Sequence, residues 1–223
     1  MRVKDAADPD RDGGDVQAGG TGTWRRLYLL RHGEVAYFDP DGCPVDPWQV
    51  SLTAHGRTQA NALAAALSGR GVELLVTSAV PRAIETSAIL AAGLGLAPVV
   101  DAGWNELRPG DLAAVPPDRL RAVIVDAYRR AADPCACFFG GEEFGDFARR
   151  TGDALNRLLA APEWSTAVVV THDPVLRFVV ARCLGLGLAG MRFFEQAPGC
   201  INVIEFPKVT GAKPRAFKRW RVA

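Results

Sequence analysis

Leu27-Tyr28-Leu29-Leu30-Arg31-His32-Gly33-Glu34 is the stretch on which the fold turns. An apolar run from Leu27 to Leu30 stops at a cation, an imidazole and a glycine, which predicts a short buried strand that presents Arg31 and His32 at its C-terminal end. That end is where open α/β sheets bind ligands. An imidazole with an ordinary pKa of about 6.5 is mostly neutral near pH 7 and can act as a nucleophile without first losing a proton. Arg31 beside it suits an oxyanion. Taken alone, the pair reads equally well as a polar cap on a sheet.

The same pattern recurs downstream. Thr166 to Thr171 is β-branched and nearly continuous, a strand suited to burial on both faces, and it ends in His172-Asp173-Pro174 before a helix from Val175 to Leu184 closed by Gly185. Between the two motifs, Val72 to Thr77 reads as a strand, and Ser78 to Arg82 as the turn into a helix from Ala83 to about Ala92. Arg82 therefore stands near free backbone N–H groups and the positive end of a helix dipole. Pro98 to Val100 is a short strand, followed by a loop-like segment, Trp104 to Asp111, that carries Glu106 and Arg108.

Three further helices are predicted: from a cap at Ser51 or Thr53 to about Ser68, from Pro117 to Ala132, and from Glu142 or Glu143 to Ala160. Cys200 to Phe206 and Ala216 to Val222 read as an antiparallel pair at or near a sheet edge, and Gly187 to Pro198 takes no assignment. Strands alternating with helices predict an α/β protein, a three-layer α/β/α unit with a mainly parallel central sheet. Glu34 to Val50, rich in Pro, Asp and Gly, is a long loop whose Tyr37, Phe38 and Trp48 are candidates for a pocket rim, together with Arg108, Phe138 and Phe139. His55, in the first turn of the first helix, is expected to be a solvated surface residue.

At 223 residues and 48% apolar composition, the chain is long enough for one well-packed domain. With 26 basic and 25 acidic side chains the net charge is +1, so no global field recruits nucleic acid or an anionic membrane. Cys43, Cys135, Cys137, Cys183 and Cys200 are irregularly spaced and are expected to be reduced thiols in a cytoplasmic protein. Residues 1–23, rich in Asp and Gly, are expected to form a disordered tail ahead of a catalytic domain over residues 24–223. No apolar run approaches the roughly 18 residues of a membrane span.

Arg31, His32, Arg82 and His172 thus stand at strand ends or helix starts, which in a parallel sheet share one edge. Phosphoryl transfer through a phosphohistidine needs such a set: one imidazole attacks, and cationic donors neutralise the equatorial oxygens of the transition state. Arginine suits this because its planar fork gives phosphate two parallel hydrogen bonds and stays charged. The chemistry needs no metal or cofactor.

From Leu27 to about Phe206 the chain resembles the histidine phosphatase superfamily, also called phosphoglycerate-mutase-like. The resemblance rests on Arg31-His32-Gly33-Glu34, Leu52-Thr53 through Gly56-Arg57 and Gln59-Ala60, Thr77-Ser78 with Pro81-Arg82 and Glu85-Thr86, Asn105-Glu106, Gly140-Gly141-Glu142, and Val170-Thr171-His172 with Leu176-Arg177. It implies His32 as the phosphorylated nucleophile, Arg31 and Arg82 as phosphate ligands, His172 as a further phosphate-binding and charge-stabilising residue, and Glu106 as proton donor to the leaving group. The implied substrate is a small-molecule phosphate ester.

Asp173 departs from many relatives, which have glycine after the second histidine. A carboxylate about 4 Å from a phosphate charge repels it by about 4 kcal/mol at an effective dielectric of 20. Asp173 must therefore point away, or be protonated and act as an alternative proton donor, as in the acid-phosphatase and phytase branch. Glu106 is favoured because the first motif continues as Glu34-Val35, without that branch's Arg and Pro. Val35 also replaces the hydroxyl residue of the related mutases, which favours hydrolysis over return of the phosphoryl group. The alternatives are a phosphoglycerate-type mutase and a non-catalytic binding protein for phosphoproteins or phosphorylated metabolites. The sequence does not set the oligomeric state.

Overall fold

The computed structural model describes residues 24–39, 41–42, 45–110, 115–208 and 216–221. The expected tail over 1–23, together with Pro40, Cys43, Pro44, Asp111 and Val222, lies outside the described residues. Among the described residues six strands form one sheet: β1 (Trp24–Arg31), β2 (Leu74–Thr77), β3 (Val99–Val100), β4 (Thr166–Thr171), β5 (Cys200–Pro207) and β6 (Ala216–Arg221), in the order β3-β2-β4-β1-β5-β6. β1, β2 and β3 run parallel to β4 or to one another, while β5 is antiparallel to β1 and β6 antiparallel to β5. The mainly parallel sheet is as expected, and its four parallel strands bring their C-terminal ends to one edge.

Alternation along the central strands builds the two cores. Val168 and Val170 of β4, with Tyr28 and Leu30 of β1, face Leu63 and Leu67 of α1 (Ala54–Leu67) and Ala83 and Leu90 of α2 (Pro81–Leu94). Ala167 and Val169, with Leu27 and Leu29, face α3 (Pro117–Arg130), α4 (Phe144–Ala160) and α5 (Asp173–Cys183) through Tyr128, Phe147, Leu155, Leu176 and Val179. Val168, Val169 and Val170 are all fully buried, each contributing about 1.5–3 kcal/mol.

Several boundaries differ from the sequence reading. β1 begins at Trp24, before the apolar run, because Arg25 reaches the carbonyls of Leu159 and Ala161 and Arg26 pairs with Glu205 at 3.0 Å. α2 begins at Pro81, so Arg82 lies in its first turn; α5 begins at Asp173, with His172 as its N-cap. The unassigned Gly187 to Pro198 contains a 3-10 helix over Leu188–Phe193, too short to leave a periodic signal.

Candidate active site

Each expected residue leaves the sheet at the shared edge. Arg31 ends β1 and His32 follows it; Arg82 enters from the first turn of α2; His172 follows β4. Glu106 comes from the segment after β3, beyond a 3-10 helix over Ala102–Trp104, and its neighbours are tied down by Thr171 donating to the Trp104 carbonyl at 2.6 Å and Ala79 N–H donating to Asn105 Oδ1 at 2.8 Å.

Hydrogen bonding sets the state of both imidazoles. His32 Nδ1–H donates to the Gly33 carbonyl at 2.7 Å, which leaves the lone pair on Nε2, and Arg82 Nε–H donates to that Nε2 at 3.1 Å. Burial, then Arg31 and Arg82, hold the His32 pKa well below the usual 6.5, so the ring is neutral. The His172 ring lies 5.2 Å away, centroid to centroid. Ser78 Oγ accepts from Val80 N–H at 3.3 Å and shares a 2.7 Å hydrogen bond with His172 Nε2, which Ser78 donates when the His172 proton sits on Nδ1, facing the Glu106 carboxylate. That Nδ1 is buried with no hydrogen-bond partner and lies 3.6 Å from Glu106 Oε2. Burial, then Arg82, likewise lowers the His172 pKa well below 6.5.

Glu106 Oε2 also meets Arg82 Nη2 at 3.3 Å. Burial raises its pKa from 4.5 to about 6, against the pull of Arg82. The other carboxylate is differently placed. Asp173 accepts from Arg177 Nε at 2.8 Å on both oxygens, from Tyr128 Oη at 3.2 Å and from Gln196 N–H at 3.2 Å. It turns toward Arg177, the first of the two arrangements the sequence left open.

The remaining motif residues fasten the first one. Gly33 N–H donates to Thr86 Oγ1 at 3.1 Å and Glu34 N–H to Gln59 Oε1 at 2.8 Å. Thr53 caps α1 at Gly56 N–H and donates to Glu34 Oε1, while Glu85 accepts from Leu52 N–H and pairs with Arg57. Here the chain crosses itself backbone to backbone: a Cβ on Gly33 comes within 3.0 Å of the Gly56 carbonyl oxygen, and one on Gly56 within 3.0 Å of Glu34. Gly56→Ala is expected to cost about 1–3 kcal/mol in chemical denaturation, because neither backbone can yield without moving His32.

Of the expected rim, Tyr37 is half-buried above the site, where burial is the main cause of its raised pKa and Arg82, Glu106, Arg31 and Asp173 all act on its hydroxyl. Trp48 and Phe38 are half-buried, and Arg108 is 69% exposed. Phe138 does not belong to the rim: it packs in the core against Tyr128, Phe139 and Phe144, and Phe139 is also drawn onto that core at a left-handed φ of 55°. His55 is exposed beside Gln59, as expected. Sequence reasoning gave no role to Ser78, Gln196 or Arg150, although Gln196 offers its carbonyl to Arg31 and Ser78 orients His172. Ser78 already stood in the Thr77-Ser78 motif; Gln196 left no sequence signal.

The sheet edge thus gathers two neutral histidines, two arginines and an acid of raised pKa, a set of groups suited to binding a phosphate ester. Residues 27–216 match the family model of the histidine phosphatase superfamily (branch 1), and the chain belongs to that superfamily and is a phosphatase of its type. It is similar to an adenosylcobalamin/alpha-ribazole phosphatase of Escherichia coli, 28% identical over 81% of this chain and 89% of the relative. A probable phosphoglycerate mutase of Serratia proteamaculans is 28% identical over 72% of this chain and 75% of its own. Among solved structures, mycobacterial glucosyl-3-phosphoglycerate phosphatase superposes with a TM-score of 0.71 at 27% identity, covering 90% of this chain and all of that one.

Proposed function

We propose that this protein is a cofactor-independent phosphomonoester hydrolase that works through a phosphohistidine on His32 and releases inorganic phosphate from a small phosphorylated metabolite. The observation that carries the reading is the His32 ring: one nitrogen is committed to the Gly33 carbonyl, the other keeps its lone pair, and arginine and histidine donors surround it. In the first step Nε2 bonds to phosphorus, the P–O ester bond breaks, and Glu106 gives its proton to the departing alkoxide. Arg31, Arg82 and the unpartnered Nδ1–H of His172 take the phosphoryl oxygens. In the second, Glu106 takes a proton from water as its oxygen attacks phosphorus, and the N–P bond breaks. The whole of residues 24–223 serves as the catalytic domain in this reading, and the irregular cysteines favour a cytoplasmic setting.

A groove of about 530 Å³, walled by Leu120, Ile124, Val125 and Phe193 with Arg192 and Glu195, is lined by none of Arg31, His32, Arg82, Glu106 or His172. Tyr128 and Arg177 also line it, and both bond to Asp173, the neighbour of His172. The names of two relatives, phosphatases of phosphorylated metabolites, favour hydrolysis over mutase chemistry. A panel of phosphate esters incubated with the protein, with phosphate release measured against time, tests the reading. Net phosphate without a bisphosphorylated primer is the expected result; isomerised ester with no net phosphate makes the protein a mutase, and binding without turnover makes it a scaffold.

Asp173 serves in this reading as a structural anchor. Asp173→Asn is expected to destabilise the protein by about 3 kcal/mol, because it leaves the buried Arg177 guanidinium without its charge partner. The ratio of rates on alkyl and activated aryl esters should stay as in the wild type. A selective loss on alkyl esters in this variant transfers the proton-donor role to Asp173.

A further inference from the structure

We infer that Arg150, with Glu142, is a positioning residue that holds the Glu106 loop in register with the two histidines, an inference that rests on the reading of Glu106 as proton donor. Beyond its 3-10 turn the segment from Asn105 to Gly110 has no regular structure; Leu107 N–H donates to Glu106 Oε1 at 3.1 Å, which turns the carboxyl relative to its own backbone but does not place that backbone against the sheet edge. Thr171 and Ala79 hold the segment just before Glu106, and Arg150 reaches the Glu106 carbonyl itself from α4. Its Nη1 donates to the Asn105 carbonyl at 2.8 Å and the Gly103 carbonyl at 3.2 Å, and Nη2 to the Glu106 carbonyl at 2.8 Å. The other two donors go to Glu142, Nε to Oε1 at 2.6 Å and Nη2 to Oε2 at 2.9 Å. All five guanidinium hydrogens are thus used, three of them on the backbone that carries Glu106.

Glu142 fastens the far side of the same loop. Its Oε2 accepts from Arg108 N–H at 3.0 Å, and its own N–H donates to the Arg108 carbonyl at 2.9 Å. Gly110 and Gly141 let the two segments cross in contact, since a Cβ on either comes within 3.0 Å of backbone atoms of the other segment. The Gly140-Gly141-Glu142 motif therefore serves as a dock for the acid loop. A planar five-donor fork satisfies three carbonyls and a carboxylate together, whereas a lysine ammonium in its place offers three donors from one point.

The test compares kcat/KM for phenethyl phosphate, whose alkoxide needs a proton to leave, with para-nitrophenyl phosphate, whose phenolate does not. Misplacing a reacting group by about 1 Å costs about 10²-fold, so Arg150→Met is expected to lose about 10²-fold on the alkyl ester and less than about threefold on the aryl ester. The retained aryl activity reports that the protein is folded. Arg150→Lys, which keeps the charge opposite Glu142, is expected to show the same selectivity with a smaller loss and serves where the methionine variant does not fold. In a Glu106→Gln background, Arg150→Met should add almost nothing. Arg149→Met, on the exposed side of the same helix, should leave both rates unchanged. Equal losses on both esters, or a full further loss in the double variant, overturn the inference alone. If Glu106→Gln itself shows no leaving-group selectivity, the proton-donor reading falls and this inference falls with it.

Discussion

His32→Ala is expected to lower phosphate release by about 10⁴-fold or more. The loss should be this large because no other group at the site replaces the lone pair: His172 Nε2 is engaged by Ser78 at 2.7 Å, and its Nδ1 lies 3.6 Å from the Glu106 carboxylate. The direct measurement is covalent. Wild-type protein mixed with a labelled ester and quenched in base should carry label on nitrogen, stable in base and lost in acid, and His32→Ala should carry none. Label that survives in His32→Ala, or that is released by base as an acyl phosphate, removes His32 from the nucleophile's role. The arginines remain in the variant, so it should still bind inorganic phosphate.

Glu106→Gln is expected to cost about 10²–10⁴-fold on an alkyl phosphate and far less on an activated aryl phosphate. The amide keeps the size of the side chain and loses only the proton it gives. The pH dependence carries the same assignment. A donor must be protonated, and burial places the Glu106 pKa at about 6, so kcat on the alkyl ester should fall as pH rises through about 6. A phosphate monoester also titrates near pH 6, but that limb belongs to the substrate and persists in any variant. The limb that disappears in Glu106→Gln belongs to the carboxyl. His32 adds no limb in this range, because its pKa lies well below 6.5 and the ring is already neutral.

Much of this site was legible in the chain because its parts sit at ends of strands, and buried parallel strands announce themselves. Val168, Val169 and Val170 are apolar without alternation, as burial on both faces requires, and the residue delivered beyond such a strand is fixed by where the apolar run stops. His32 and His172 were placed in this way. Arg82 followed from the proline that opens α2. Glu106 is different: it lies in irregular chain, and its identity came from family likeness rather than from any period or cap. Phe138 shows the limit from the other side, since an aromatic residue in a loop has the same one-dimensional signature whether it edges a pocket or, as here, fills a core.

The sequence by itself determined the order of strands and helices, the shared edge and the residue types that reach it, because hydrophobic period and strand termini are local properties. Only the tertiary structure gave the two carboxylates their different surroundings. Asp173 is bound to Arg177, Tyr128 and the Gln196 backbone, while Glu106 is half-buried between Arg82 and His172 with its pKa raised to about 6. The partners that set those states come from other elements of the fold, and a carboxyl's proton affinity is a property of its surroundings in space.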